Sequence, residues 1–254
     1  MSHSSNRVRQ TFRIVLLFAH LFTGLALSAL AYPVIGGRGR AACFRWWSKR
    51  LLRIAGVRVV VRGSPDGIPP HEPVLVLSNH VSWLDIFVIR ASLECRFVAK
   101  SEIRHWPLVG WLVARQGTVF VVRARRHDTS RVNASLESAL KRGERMVVFP
   151  EGTTTDGSEV KPFHGSLLQP VVATQGYAMP VAIRYLDTEG RRSDRAAYAG
   201  DRSLWDSTRL ITGESMTVAE IRFLAAVHAV GRHRRDLAQH CAKAVADALE
   251  LPHP

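Results

Sequence analysis

The chain is 254 residues long and 46% hydrophobic, enough for one sizeable core plus a membrane element. Its formal charge of +14 sits almost wholly at one end: the first 65 residues carry eleven Lys or Arg and no acid, and the rest holds 24 basic and 21 acidic residues. Cys43, Cys95 and Cys241 are odd in number and far apart, which suits neither a disulfide framework nor a zinc site, and there is no His-Glu-x-x-His, dinucleotide fingerprint or phosphate-loop lysine motif.

The run from Ile14 to Pro33 is mostly apolar and free of formal charge, long enough to span a hydrocarbon core of about 30 Å. Arg7, Arg9 and Arg13 precede it, and Arg38, Arg40 and Arg45 follow. Positive charge on both sides gives no orientation. Gly24, Pro33, Gly36 and Gly37 permit a bend, so a re-entrant or half-inserted helix fits as well as a clean span. A secretory signal ending at Ala29-Leu30-Ala31 is the rival, although the run is long for one. In the next stretch, 41–54, Phe44, Trp47, Leu51 and Ile54 recur at helical spacing among arginines. That pattern suits an interfacial helix on anionic lipid, with a core-packing helix as the alternative. The interleaved tryptophans favour lipid over nucleic acid as the partner of the basic segment.

On either side of a turn-rich connector, Ser64 to Pro70, apolar runs predict strands at 57–62, 74–78, 96–99, 118–123, 146–149, 179–184 and 219–224. Helical patterns fall at 82–91, 129–142, 165–175 and 233–249. The alternation predicts an α/β fold: a single domain with a mixed, largely buried sheet flanked by helices, plus an N-terminal membrane-associated helical segment. The expected division is 1–56 for the membrane-associated helices and 57–254 for the α/β domain. Residues 186–218 are polar and irregular and receive no assignment.

Three of these strands end on chemically useful residues. The strand at 74–78 delivers Asn79, His80 and, five residues past His80, Asp85. Such strand ends are where open α/β sheets keep their ligand crevices. If Ser82 opens the next helix, Asp85 lies about one turn inside it and can fold back on the imidazole. A carboxylate on one ring nitrogen fixes the tautomer and leaves the other nitrogen free to take a proton. Chance His-x4-Asp pairs are common, and Ser82 is equally explained as a helix cap. Downstream, one strand ends on Arg123, and another runs into Phe149-Pro150-Glu151-Gly152-Thr153-Thr154.

Together these segments resemble the glycerolipid acyltransferases typified by bacterial 1-acyl-sn-glycerol-3-phosphate acyltransferase. The motif Asn-His-x4-Asp matches Asn79, His80 and Asp85; Gly-x-x-Phe-[Ile/Val]-x-Arg matches Gly117, Phe120, Val121 and Arg123. Phe-Pro-Glu-Gly-Thr matches Phe149 to Thr153, and a hydrophobic-Pro-hydrophobic strand matches Met179-Pro180-Val181. The resemblance covers 57–190 and implies transfer of an acyl group from acyl-CoA or acyl carrier protein to the free hydroxyl of 1-acyl-glycerol-3-phosphate, giving phosphatidate, with no cofactor and no metal. It implies His80 as base and Asp85 as its orienter, with substrate contacts from Asn79, Arg123, Glu151, Gly152, Thr153, Thr154 and Lys161. Backbone N–H groups near Gly152 are candidate oxyanion donors; Ser82 as an acyl-accepting nucleophile and Glu151 as a second base are weaker alternatives. Many phosphatidate-forming members carry Arg where this chain has Thr154, which opens acylation of another lysolipid, such as a lyso-ornithine lipid, as the competing activity. A lipid-binding module without catalysis is the alternative of another class. The implied location is the inner membrane, with the catalytic domain on the cytoplasmic face beside its lipid acceptor.

Overall fold

In chain order, helix α1 (Ser2–Ala26) runs through a π-helical turn, Leu27–Ala31, and the chain reverses into α2 (Gly37–Ala55). Strand β1 (Val57–Arg62) follows, then β2 (Val74–Ser78), α3 (Asp85–Ser92), β3 (Arg96–Lys100), α4 (Val109–Arg115) and β4 (Val119–Val121). Next come α5 (Arg126–Lys141), β5 (Arg145–Val148), α6 (Gln169–Ala173) and β6 (Tyr177–Leu186). Helix α7 (Leu204–Gly213), β7 (Thr217–Phe223), β8 (Val227–His228) and α8 (Arg234–Leu249) complete the chain. This computed structural model describes residues 2–69, 71–106, 109–115, 118–121 and 126–253.

The strands form one mixed sheet in the order β1-β7-β6-β2-β5-β3-β4, with β8 also pairing β6. β2 lies parallel between β5 and β6, and β7 runs antiparallel to β6. All five residues of β2 are buried, which requires cover on both faces. Val74 and Val76 point into a core with α2 and α3; Leu75 and Leu77 point into a second core with α5, α6 and α8. Each such side chain contributes about 1.5–3 kcal/mol relative to exposure. The middle of the sheet is therefore the part least able to shift, and the functional loops leave from it.

Two helices depart from the sequence pattern for identifiable reasons. The helix expected at 82–91 begins at Asp85, because the N–H groups of Val81 and Ser82 turn onto the Asp85 carboxylate instead of entering a helical ladder. The helix expected at 165–175 divides into a 3-10 turn, Gly165–Leu168, and α6, with Pro170 in the first turn of α6. The unassigned stretch 186–218 contains α7, capped by the Ser203 hydroxyl accepting from the Asp206 N–H at 3.1 Å.

Asn6–Ala31 is long and apolar enough to cross a membrane, yet the helix lies against the domain. Val8, Phe12, Val15, Phe18 and Phe22 form an exposed stripe along it. The opposite side packs on α2: Trp47 Nε1 donates to the His20 carbonyl at 3.0 Å, and the two rings stack with centroids 4.8 Å apart. Gly24 makes this approach possible, since a Cβ there would sit 2.8 Å from Trp47 Nε1. Arg9 and Arg13, expected as charges flanking a membrane run, instead cap α7. Arg9 donates to the Gly213 carbonyl at 2.7 Å, and Arg13 donates to the carbonyls of Thr212 at 3.2 Å and Ser215 at 3.0 Å. The stripe expected to face lipid from α2 goes mostly to the core: Phe44, Trp47 and Leu51 are buried, and Trp46 stays exposed. The core-packing alternative holds for that stripe because α2 lies across α3, with Trp47 against Phe87.

Candidate active site

β2 and β5 are neighbouring parallel strands with Leu77 opposite Val148, so their C-terminal ends release His80 and Glu151 side by side. His80 Nδ1 lies 2.8 Å from Asp85 Oδ2. The same oxygen accepts the N–H groups of Val81 at 2.8 Å and Ser82 at 2.9 Å, and Tyr185 donates its hydroxyl to Oδ1 at 2.7 Å. Asp85 is completely buried, and these donors satisfy it. A carboxylate can only accept, so in the neutral ring of His80 the proton sits on Nδ1 and Nε2 is bare. The Phe149 ring stacks on the imidazole, with centroids 3.9 Å apart and planes 13° apart, which fixes the ring's orientation.

Glu151 closes the second side. Its Oε1 accepts the His80 backbone N–H at 2.8 Å, and its Oε2 accepts the Lys161 N–H at 3.3 Å. Burial and then the nearby charge of Asp85 push its carboxyl up to about 7, against the opposing pull of those two N–H groups and the Lys161 ammonium. The loop turns at Gly152, whose φ of +75° favours glycine. The loop is latched at Thr155, whose N–H donates to the His80 carbonyl at 2.9 Å. The Thr154 hydroxyl donates to the Tyr198 carbonyl, and the Tyr198 N–H donates to the Val81 carbonyl at 2.8 Å. One residue from the polar connector thus joins both functional loops.

His80, Glu151, Gly152, Thr153 and Thr154 line a common cleft of about 700 Å³, whose apolar wall includes Ile86, Val98, Ile103 and Leu167. That is room for a polar group and a hydrocarbon chain. Other expected site residues lie elsewhere. Asn79 is 1% exposed, and its amide donates to the Ile183 carbonyl at 2.9 Å and accepts the Ile183 N–H at 2.8 Å. It clamps β2 to β6 and is not available to a substrate. Lys161 meets Glu151 through its backbone, and Arg123 lies outside the described residues. Ser82 is completely buried, and its Oγ accepts the Leu84 N–H at 3.3 Å, so it does not line the cleft. The Gly152 N–H closes a turn on the Phe149 carbonyl at 3.1 Å, not an oxyanion hole. Sequence reading missed Tyr185 and Tyr198. Only Tyr185 left a signal, since a tyrosine in a buried strand needs a partner for its hydroxyl.

A histidine oriented by a carboxylate, at the C-terminal edge of an α/β sheet and over a partly apolar cleft, has the geometry of an enzyme site for a lipid-like substrate. The family described as Acyltransferase matches residues 58–184. The lyso-ornithine lipid O-acyltransferase of Pseudomonas aeruginosa is 37% identical over 206 residues, covering 81% of this chain and 77% of that protein. A 1-acyl-sn-glycerol-3-phosphate acyltransferase of Neisseria gonorrhoeae is 37% identical over 154 residues, 59% of each. The crystal structure of the 1-acyl-sn-glycerophosphate acyltransferase of Thermotoga maritima shares the fold, with a TM-score of 0.75 and 22% identity over 98% of this chain and 97% of that one. The chain belongs to the acyltransferase family and is an O-acyltransferase of the lysolipid-acylating type.

Proposed function

We propose that the enzyme transfers an acyl group from a thioester to the free hydroxyl of a lysolipid, with lyso-ornithine lipid as the acceptor. The observation that carries the acceptor is the Thr154 hydroxyl, donated to the Tyr198 carbonyl at the position where many phosphatidate-forming members have arginine. A phosphomonoester calls for a guanidinium fork there; an ornithine headgroup, with its own ammonium and carboxylate, does not. The breadth of the likeness to the Pseudomonas relative supports the same reading. The second reading, formation of phosphatidate from 1-acyl-glycerol-3-phosphate, leads on the motifs alone and is favoured by the Neisseria relative.

His80 Nε2 takes the proton of the acceptor hydroxyl as its oxygen attacks the thioester carbonyl. Asp85 and Tyr185 hold the imidazole and stabilise its charged form. The tetrahedral intermediate collapses, the C–S bond breaks, and the leaving thiolate takes the proton back from His80. No acyl-enzyme forms. Glu151 positions the His80 backbone, and Gly152 and Thr153, which line the cleft, contact the headgroup, with Arg123 as the cation the family motif implies. The donor is acyl-CoA or acyl carrier protein, without a cofactor. The enzyme sits on the inner membrane with its catalytic domain on the cytoplasmic face, where such thioesters are.

The test is a panel of lyso-ornithine lipid, lysophosphatidate, glycerol-3-phosphate and lysophosphatidylcholine with the purified enzyme and both donors. Preference for lyso-ornithine lipid is expected; a preference for lysophosphatidate that vanishes with its phosphate would move the assignment to the second reading. His80→Ala should lower kcat about 10²–10⁴-fold, and full activity in that variant would remove the mechanism.

A further inference from the structure

A second cavity, of about 670 Å³, opens at the other end of the sheet. It lies against Val74, Arg96 and Arg145, the first residues of β2, β3 and β5. The distance along β2 from there to His80 is roughly 20 Å at ~3.3 Å per residue, so the two cavities are separate. Five arginines from five elements converge on this one: Arg40 of α2, Arg90 of α3, Arg96 of β3, Arg115 of α4 and Arg145 of β5.

Three glutamates, Glu72, Glu94 and Glu144, also line it, fewer than the five arginines, so they balance this charge only in part. Glu144 pairs with Arg96 and, at 2.9 Å, with Arg142, and Glu94 lies 3.9 Å from Arg45. Among the described residues, Arg40, Arg115 and Arg145 enter no ion pair. Arg90 is buried, with its guanidinium 4.2 Å from the centre of the Phe44 ring and 5.7 Å from that of Phe97. Its position is thus fixed by aromatic packing. Like charges gathered in a half-enclosed, partly aromatic space repel one another more than they would in water. Guanidinium forks are the side chains best matched to phosphate oxygens. The cavity also touches Tyr32, Gly37 and Ala41 at the tip of the α1–α2 hairpin, where Leu30 and Val34 are exposed. An amphiphile could therefore place its charge in the cavity and its chains along the hairpin.

We propose that this cavity binds a phosphate-bearing anion, held by Arg40, Arg90, Arg115 and Arg145, at a site separate from the acyl-transfer cleft. Two sources share that chemistry: the headgroup of an anionic phospholipid and a soluble phosphate.

The full chain in dodecyl maltoside would be titrated with dioctanoyl-phosphatidylglycerol and, separately, with inorganic phosphate. Binding of at least one is expected. The Arg115→Gln/Arg145→Gln variant should bind it about tenfold more weakly, as expected for losing charged hydrogen bonds. Acyl transfer by that variant in uncharged detergent should stay near wild type, and His80→Ala should bind the anion normally. Arg145→Lys, which keeps the charge, and Arg40→Gln, at an exposed position, guard against an effect of misfolding. The first should bind more tightly than Arg145→Gln, though less tightly than wild type, and the second should weaken binding. Tighter binding of the phospholipid than of phosphate identifies a lipid site; arginine-dependent binding of phosphate alone identifies a soluble ligand. Failure of both to bind, or equal affinity in wild type and the double variant, overturns the proposal.

Discussion

Tyr185 donates its hydroxyl to Asp85 Oδ1 at 2.7 Å, on the opposite side of the carboxylate from His80. Asp85 is thus held between a ring it orients and a ring that orients it. Burial, and next the charge of Asp85, raise the phenol well above the ordinary tyrosine range, so it remains a donor throughout the working pH range.

Tyr185→Phe should therefore impair catalysis without touching the cleft. It leaves Oδ1 of a buried carboxylate without its donor, at a cost of about 1–3 kcal/mol in stability. Looser orientation of His80 should lower kcat about tenfold, equivalent to about 1.4 kcal/mol in the barrier, with KM unchanged. Denaturant unfolding and steady-state kinetics together check this. An unchanged kcat would reduce Tyr185 to a packing residue.

Glu151 gives a pH dependence with a definite sign. Its carboxyl is raised from 4.5 to about 7 in the folded protein, so between those values the native state holds a proton that the unfolded chain has lost. Stability contributed by this group therefore falls as pH rises through that window and levels off above it. The full difference is about 3 kcal/mol. Glu151→Gln cannot titrate, so the gap between its unfolding free energy and that of wild type should change across pH 4.5 to 7. Parallel stability curves would contradict this account of the carboxyl.

Gly24→Ala should separate the two N-terminal helices. Its Cβ would fall 2.8 Å from Trp47 Nε1 and 3.0 Å from Cε2, and the indole cannot yield without breaking its bond to the His20 carbonyl. Overpacking of this kind costs about 1–3 kcal/mol. The thermal midpoint in detergent should fall, and Trp47 fluorescence should report a wetter ring.

Arg13→Met should release α1 from α7. The guanidinium serves the carbonyls of Thr212, Glu214 and Ser215, and Gln10 adds a bond to the Arg209 carbonyl at 2.6 Å. The orphan carbonyls ending α7 would then turn to water. Limited proteolysis should cut between α1 and the domain faster in this variant than in wild type.

The sequence made the sheet legible because strand periodicity and buried apolar runs are local signals: β1 and β2 fall on the predicted residues. The pair His80 and Asp85 was legible for the same reason, being five residues apart at one strand end. What could not be read depends on contacts distant along the chain. Tyr185 is 100 residues from Asp85, and Tyr198 is 44 from Thr154; no spacing rule joins them. Arg9 and Arg13 reach partners about 200 residues away, so the carbonyls they serve could not be read from the local sequence. Asn79 was misjudged differently: a polar residue beside a base looks like a ligand until both of its amide atoms are found on a neighbouring strand.

The Asn79 clamp also sets which of its two positions can drift. It grips the main chain of Ile183, not its side chain, so many apolar residues could replace Ile183 without loosening it. Position 79 has no such freedom. Aspartate lacks the donor, serine cannot offer a donor and an acceptor side by side, and glutamine carries an extra methylene. A variant library at these sites should therefore accept apolar residues of similar volume at 183 and almost nothing at 79, although only the latter adjoins the histidine.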